Sequence, residues 1–240
     1  MACSAVTLGY TVFGMTGFGA NMVALPVLAH VMSVRFAVPM LLVLDLLSSA
    51  LMSTQQRARV DKGELKRLVL PLLVGMVLGL LLLQHAAEHW LLALLGGFVG
   101  GFAVWNLWGT RSQRVVAPGW VWPTGLVGGA FSTVFGTGGP VYTLFLANRI
   151  TDTDRLRATL GTVILVSALV RLVLFTGSGF LVQPGLPILA VLLLPCALAG
   201  YVVGSRVNAR MPQARVRRAI WILLLVASVS LLLRGMLEFR

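Results

Sequence analysis

The amino-acid sequence predicts an all-α polytopic membrane protein with two inverted-topology repeats. Three observations support this prediction: the composition, a glycine-rich interruption that occurs twice, and the placement of the basic residues. Of the 240 residues, 58% are hydrophobic and 11% are charged, whereas a soluble domain carries about 25% charged residues. Mean hydropathy is +0.93. Apolar runs of membrane-spanning length follow one another almost from end to end, so we expect helices that cross a bilayer.

Eight apolar segments can be recognised along the chain. Most are plain spans with few or no charges. The first and fifth are longer and are interrupted by glycine, which is unfavourable inside a helix. The approximate bounds are 4–33, 36–54, 68–84, 90–109, 119–148, 158–176, 184–205 and 219–237.

The glycine-rich interruption is duplicated. The stretch "TGFGANMVALPVL" in the first segment resembles "FGTGGPVYTLFL" in the fifth, with Gly17 aligned on Gly136 and Gly19 on Gly138. Farther along, "PLLVGMVLG" in the third segment resembles "PCALAGYVVG" in the seventh. Two patterns in the same order predict two repeats, 1–112 and 113–240, each with one broken hairpin and three transmembrane helices.

The basic residues predict that the repeats have opposite orientations. In the first half they precede the third segment: Arg57, Arg59, Lys62, Lys66 and Arg67. In the second half they follow the seventh segment: Arg206, Arg210, Arg215, Arg217 and Arg218. Under the positive-inside rule the halves are therefore inverted, an arrangement that is common in secondary transporters.

The charges beside the fifth segment predict that it enters the membrane and returns to the same side. Basic residues lie on both flanks: Arg111, Arg114, Arg149, Arg155 and Arg157. Two short half-helices that meet at "GTGGP" satisfy both flanks. By the repeat, the first segment is expected to be a second re-entrant hairpin, entered from the opposite side.

The glycine-rich tips are predicted to bind an anion. Irregular backbone at membrane depth is tolerated only where it is buried in protein or lines a cavity. A half-helix that begins there presents free N–H groups and the positive end of its dipole. The predicted substrate-binding residues near the midplane are Gly17, Phe18, Gly19, Ala20, Asn21, Gly136, Thr137, Gly138, Gly139 and Pro140. Close helix packing is the alternative, and we prefer it for Gly75, Gly79, Gly200 and Gly204.

Two ionisable residues interrupt apolar spans and are candidates for coupling or charge. Asp45 is either a proton-coupling carboxylate or a structural partner for a buried donor. Arg171 lies close enough to its span end to snorkel, which we expect, although it could also carry substrate charge or pair with Asp45. Arg35 and Arg149, which flank the hairpins, are interpreted as topology signals.

The paired glycine stretches, each followed by a span and then by the Pro/Gly span, resemble the sulfite exporter TauE/SafE family of bacterial membrane proteins. The resemblance covers nearly the whole chain. It implies transport, mostly outward, of sulfite, sulfoacetate or related small organic anions. Both tips depart from the usual Gly-x-Gly-Gly-Gly of the family, with Ala20 and Asn21 in the first and Pro140 in the second. These departures indicate that the substrate could differ from sulfite itself.

The sequence therefore predicts a secondary transporter of a small sulfur-containing or organic anion in the bacterial inner membrane. An anion-selective channel and an uptake carrier for a different small anion are the alternatives.

Several other classes of function are not expected. The sequence contains no HExxH pair and no nucleotide-binding motif, so we do not predict an enzyme. Two cysteines are too few for a cysteine metal cluster and are expected to pack as small apolar residues, and no cofactor is predicted. The net charge of +12 lies in short connections, so nucleic acid is not an expected partner. The oligomeric state stays open.

Overall fold

The structure, a computed structural model, describes residues 1–16, 19–54, 60–108, 118–210 and 213–237. This part of the chain is helical apart from turns and short connections, and it contains no β-strand. The α-helices are α1 Ala2–Thr16, α2 Ala20–Leu28, α3 Val34–Thr54, α4 Lys62–His85, α5 Glu88–Trp108, α6 Val121–Phe135, α7 Gly139–Ala147, α8 Thr153–Gly177, α9 Leu186–Arg210 and α10 Gln213–Leu237. They follow the eight apolar segments, with α1 and α2 sharing the first and α6 and α7 sharing the fifth.

Both long segments are broken at their glycines, as predicted. Gly19, with φ of +88°, precedes α2, and Gly136, with φ of +69°, ends α6. Both lie in the left-handed region that glycine adopts most readily. The half-helices pack against each other, and we name α1 with α2 hairpin 1 and α6 with α7 hairpin 2. Gly17, Phe18, Arg57, Arg59, Arg111 and Arg114, which the sequence predictions used, lie outside the described residues.

Four described helices are long and apolar enough to cross a membrane. They are Lys62–His85, Glu88–Trp108, Thr153–Gly177 and the Leu186–Val207 part of α9. The surface of α4 shows what such a helix presents to lipid: its exposed large apolar side chains include Leu70, Val74, Val77, Leu78 and Leu81, each 40–58% exposed. In water, apolar exposure of this extent would be unfavourable. The protein is an all-helical polytopic membrane protein.

The described chain forms two compact units. Unit 1 comprises Met1–Ala37, His85–Arg111 and Val191–Arg240. Within it, hairpin 1 packs on α9, and α5 packs along α10. A Cβ atom on Gly200 would collide with the backbone carbonyl of Thr7, and one on Gly204 with that of Thr11. The missing side chains of these glycines thus allow α1 and α9 to approach backbone to backbone.

Unit 2 comprises Val38–Gln84 and Ser112–Ala190. Within it, hairpin 2 packs on α4 and on α8. A Cβ atom on Gly75 would collide with the carbonyl of Leu126, and one on Gly79 would lie 2.6 Å from the carbonyl oxygen of Ala130. The structure therefore confirms the packing role predicted for the spaced glycines of α4 and α9.

Each unit draws helices from both predicted repeats. In unit 1, hairpin 1 of the first half packs on α9 of the second half. In unit 2, hairpin 2 of the second half packs on α4 of the first half. A repeat in sequence does not have to be a compact unit in space. The repeats 1–112 and 113–240, their inversion and the re-entrant course of the hairpins stay predictions.

Candidate functional site

The tip of hairpin 2 is formed by the end of α6 and the start of α7. The N–H of Gly136 donates to the carbonyl of Ser132 at 2.9 Å, and the N–H of Thr137 donates to that of Phe131 at 3.3 Å. These bonds satisfy carbonyl groups at the end of α6, which would otherwise lack partners. Two of the predicted substrate-binding residues, Gly136 and Thr137, therefore direct their amides back to α6.

The start of α7 supplies the remaining backbone donors of this tip. The first N–H groups of a helix have no acceptor in the preceding turn. Pro140 lies at the beginning of α7 and has no N–H, which makes it compatible with this position. Gly138, Gly139 and Val141 are then the first residues that can present amides beyond the tip. The α7 dipole adds partial positive charge there.

The side chain of Thr137 adds a buried hydroxyl to the tip. Thr137 is 1% exposed, and its Oγ1 atom has no hydrogen-bond partner among the described residues. A buried hydroxyl without a partner costs about 1–3 kcal/mol. Thr137 is one of the predicted substrate-binding residues, and its role in binding stays a prediction.

The space that a side chain would fill at Gly138 is taken by neighbouring atoms of hairpin 2. A Cβ atom on Gly138 would lie 2.7 Å from the carbonyl oxygen of Gly128 and 2.9 Å from the ring of Tyr142. A Cβ on Gly128 would collide with the other edge of the same ring. Gly128 and Gly138 therefore make room for the Tyr142 ring, in addition to any approach of a ligand to the backbone.

Hairpin 1 has its tip in unit 1. Gly17 and Phe18 lie outside the described residues, so the tip is seen only from Gly19 onward. Ala20 and Asn21 are the first two residues of α2, and both are buried, with 3% and 2% exposure. A joint cradle formed by both tips stays a prediction.

Asp45 and Arg171 form a buried ion pair within unit 2. Arg171 Nη2 lies 3.1 Å from Asp45 Oδ2, and the two side chains are 2% and 12% exposed. The expectation that Arg171 snorkels to the membrane surface was wrong, because its guanidinium group finds an anionic partner inside the unit. The structural-partner interpretation of Asp45 is confirmed.

Three buried polar residues near the tip were not predicted as site residues: Tyr142, Ser132 and Ser167. Tyr142 is fully buried, and its hydroxyl lies beside Ser132 and Ser167 and within electrostatic reach of Arg171. Its hydroxyl has no hydrogen bond of standard geometry to any described residue. A tyrosine inside the apolar half-helix "GPVYTLFLA" was a usable signal, since a buried tyrosine hydroxyl usually finds a partner.

A second set of charges joins the start of α4 to the α7–α8 connection. Arg149 donates to both carboxylate oxygens of Glu64, at 2.7 Å and 2.8 Å. The carboxylate raises the pKa of the Arg149 guanidinium, which therefore stays charged. Asp61 accepts from Arg155 at 3.0 Å. Arg149 was interpreted only as a topology signal, but it also ties hairpin 2 to α4.

Arg35 in unit 1, which was also interpreted as a topology signal, has a structural contact as well. Its Nη2 donates to the backbone carbonyl of Ala86 at 2.6 Å. The N–H of Val34 donates to Glu88 at 2.6 Å, so the α2–α3 connection is linked to the α4–α5 connection. These contacts connect the two loops within unit 1.

The described residues offer no metal site. No cluster of three His, Cys, Asp or Glu side chains among them could hold a metal ion.

Residues 2–231 match the protein family described as Sulfite exporter TauE/SafE. The "Probable inner membrane transporter protein TsaS" of Comamonas testosteroni is 30% identical to the chain over 165 residues. The aligned region covers 66% of this chain and 66% of TsaS, slightly less than two thirds of that relative. No solved structure matches the chain. Since the family match includes both hairpins and the Asp45–Arg171 pair, nearly the whole described fold falls within it, and the chain belongs to the TauE/SafE family of membrane transporters.

Proposed function

We propose that the protein is a secondary transporter that exports a small sulfur-containing or organic anion, such as sulfite or a sulfonate, across the bacterial inner membrane. The family description names sulfite export, and the similar TsaS is described as an inner membrane transporter. The observation that carries the proposal is the tip of hairpin 2. There, a helix N-terminus and the buried, unpartnered hydroxyl of Thr137 occur together at a break inside an apolar segment.

The chemistry of this tip suits an anion. Amide and hydroxyl groups donate hydrogen bonds without a net charge, and bonds to a charged acceptor are stronger than neutral ones. The substrate-binding set keeps the residues predicted for both tips. Gly138, Gly139 and Thr137 are the donors that the tip of hairpin 2 contributes.

Asp45 is proposed to couple the transport to protons. An anion that leaves a cell with a negative interior is driven outward by about 2.3 kcal/mol per charge for 100 mV. The membrane potential alone can therefore drive export of the anion. A proton that travels with the anion would reduce the net charge that crosses the membrane and would make the flux respond to the pH gradient. If Asp45 takes up that proton, its bond to Arg171 weakens in the same step.

The test is uptake of labelled sulfite into proteoliposomes that contain the purified protein. Competing anions are sulfoacetate, taurine, thiosulfate and lactate, and the membrane potential is clamped while the pH gradient is varied. Saturable flux that one sulfur anion blocks supports the transporter. Flux that does not saturate indicates a channel, and no flux from folded protein removes the functional proposal.

Two substitutions make the test specific for the proposed residues. Thr137→Val removes one hydroxyl at nearly constant volume, and we expect an apparent affinity for sulfite weaker by about fivefold to tenfold. Thr133→Val is the matched control, because Thr133 is equally buried in the same hairpin but donates to its own helix at Gly129. Asp45→Asn is expected to remove the response to the pH gradient. A response that persists in this variant excludes Asp45 as the coupling site.

A further inference from the structure

The strongest unexplained feature of unit 2 is a group of buried hydrogen-bond donors on α8 and on α7 of hairpin 2. Arg171 is 2% exposed and donates to Asp45 through Nη2 only; its Nε and Nη1 atoms have no partner among the described residues. The Tyr142 hydroxyl, within electrostatic reach of this guanidinium, has no standard hydrogen bond either. Native proteins leave few buried donors unsatisfied, and those left unsatisfied call for an explanation.

Lipid cannot satisfy these groups, because the hydrocarbon region offers no acceptors. Asp45 neutralises the charge of Arg171 but engages a single nitrogen, whereas a guanidinium group presents five N–H donors in a fixed fork. Within unit 2, the Nε and Nη1 atoms of Arg171 thus have no acceptor among the described residues, and the Tyr142 hydroxyl has only Ser132 and Ser167 beside it, without a hydrogen bond of standard geometry. A ligand with several acceptor oxygens would satisfy all three donor atoms.

The position of Tyr142 connects this group to the tip. Its ring lies against Gly138, the residue that precedes α7. Ser132, which flanks the same ring and the same glycine, accepts the Gly136 N–H through its carbonyl. Tyr142 thus contacts the tip through its ring, and its hydroxyl lies within electrostatic reach of Arg171.

We infer that Arg171 and Tyr142 form an oxyanion-binding subsite in unit 2, continuous with the tip of hairpin 2. This inference rests on the proposed anion transport and assigns residues to it. In the subsite, Arg171 supplies positive charge through the nitrogens that Asp45 leaves free, and the Tyr142 hydroxyl donates one hydrogen bond. Ser167 borders the hydroxyl, and its own hydroxyl donates to Val163 at 2.8 Å.

The experiment measures the affinity and the thermal stability of the same variants. Full-length protein in detergent is titrated with sulfite, with chloride as the comparison anion, and its melting temperature is recorded without sulfite. For Tyr142→Phe we expect about tenfold weaker sulfite binding, because a hydrogen bond to a charged group is lost. The melting temperature of this variant should be equal to or above that of the wild type, since a hydroxyl without a partner is removed from the interior.

This pair of readouts separates binding from structure. If the Tyr142 hydroxyl has a purely structural role, Tyr142→Phe lowers the melting temperature and leaves sulfite affinity unchanged, which overturns the inference. Tyr201→Phe in unit 1 is the control and should change neither quantity. Arg171→Lys retains the charge but reduces the number of donors, and we expect a loss of more than about tenfold in affinity. If this variant does not fold, the Tyr142 result decides alone.

Failure of the subsite can be told apart from failure of the proposed function. If the wild type binds sulfite and Tyr142→Phe binds it equally well, only the subsite is overturned. If the wild type binds neither sulfite nor the anions of the transport panel, the proposed function and the subsite are both overturned. Chloride should bind more weakly than sulfite, because sulfite spreads its charge over three oxygens that can reach separate donors, whereas chloride is a single, singly charged atom.

Discussion

Arg171 Nη2 and Asp45 Oδ2, 3.1 Å apart, join α8 to α3 through an ion pair that is buried within unit 2. The partners are separated by 126 residues in the sequence. A buried pair of this kind does not by itself show that the charges stabilise the fold, because both must be removed from water. It does bring two opposite charges together away from water, so we expect the effect of removing one to depend on the presence of the other.

Loss of one partner should therefore cost more than loss of both. Asp45→Leu and Arg171→Met are each expected to destabilise the protein by about 3–5 kcal/mol, since each removes the opposite charge that a buried ionised group faces. The double variant should recover most of this loss. Reversible unfolding in mixed micelles measures the three free energies. Additive single effects would show that the pair is not energetically coupled.

Gly138→Ala should disturb the packing of hairpin 2. The new Cβ atom would lie 2.7 Å from the Gly128 carbonyl oxygen and 2.9 Å from the Tyr142 ring. Overpacking of this kind costs about 1–3 kcal/mol. Gly161→Ala is the matched control in unit 2, because its Cβ would meet no described atom within 4 Å and alanine favours the helix by up to about 1 kcal/mol. Equal melting temperatures of the two variants would contradict the packing role of Gly138.

The Glu64–Arg149 pair is expected to stabilise unit 2 independently of pH in the neutral range. The pKa of Arg149 is raised in the folded state, so the pair contributes its full stabilisation at any pH below the pKa of arginine in the unfolded chain. This stabilisation is lost only as the pH rises through the folded-state pKa. Both pKa values lie far above neutral pH, so Arg149→Gln should cost a constant amount, about 1–3 kcal/mol, between about pH 6 and about pH 9. Unfolding curves at several pH values test this. A cost that falls steeply within that range would be inconsistent with an arginine that stays charged.

The predicted inversion places the connection before α4 and the end of α9 on the cytoplasmic side. Lys66→Cys and Arg206→Cys introduce thiols at two exposed positions, each in a background of Cys3→Ser and Cys196→Ser. In intact spheroplasts a membrane-impermeant maleimide should label neither, and permeabilisation should expose both. Opposite behaviour of the two positions would rule out the predicted topology.

Cys3 and Cys196, the two cysteines of the chain, should form a disulfide on oxidation. Their Sγ atoms lie 3.0 Å apart in unit 1, between α1 and α9. A disulfide bond of about 2.05 Å requires only a small further approach. Copper–phenanthroline accepts the two electrons, and loss of mass-tag labelling under non-reducing conditions reports the bond. Single Cys3→Ser protein, which should stay fully labelled, is the control. Persistent double labelling after oxidation would exclude the contact.

Much of the fold could be predicted because the relevant signals are local. Composition identifies the bilayer as the solvent, and the glycines of both long segments lie where the helices break. The four-residue spacing of Gly75 and Gly79 predicts a close helix contact, which α6 provides. In each case the physical cause, whether apolar transfer, backbone freedom or a missing Cβ, belongs to residues near one another in the chain.

The charged and polar part of the site could not be predicted in the same way. From the sequence, Arg171 is a few residues from a span end, where snorkelling is the simplest outcome for a long side chain. Whether it snorkels depends on the helix that faces it, and α3 supplies Asp45 from a distant part of the chain. The fate of the Tyr142 hydroxyl likewise depends on α6 and α8.

The sequence by itself thus determined the membrane class, the family resemblance, the positions of the breaks and the glycines that allow close packing. The tertiary structure alone decided that Arg171 is paired with Asp45, that Glu64 holds Arg149, and that the Tyr142 ring occupies the space at Gly138. The physical reason is that a side chain far from water takes its partner from the neighbouring helix. Helix neighbours are set by packing between distant segments, whereas helix breaks are set by the residues at the break.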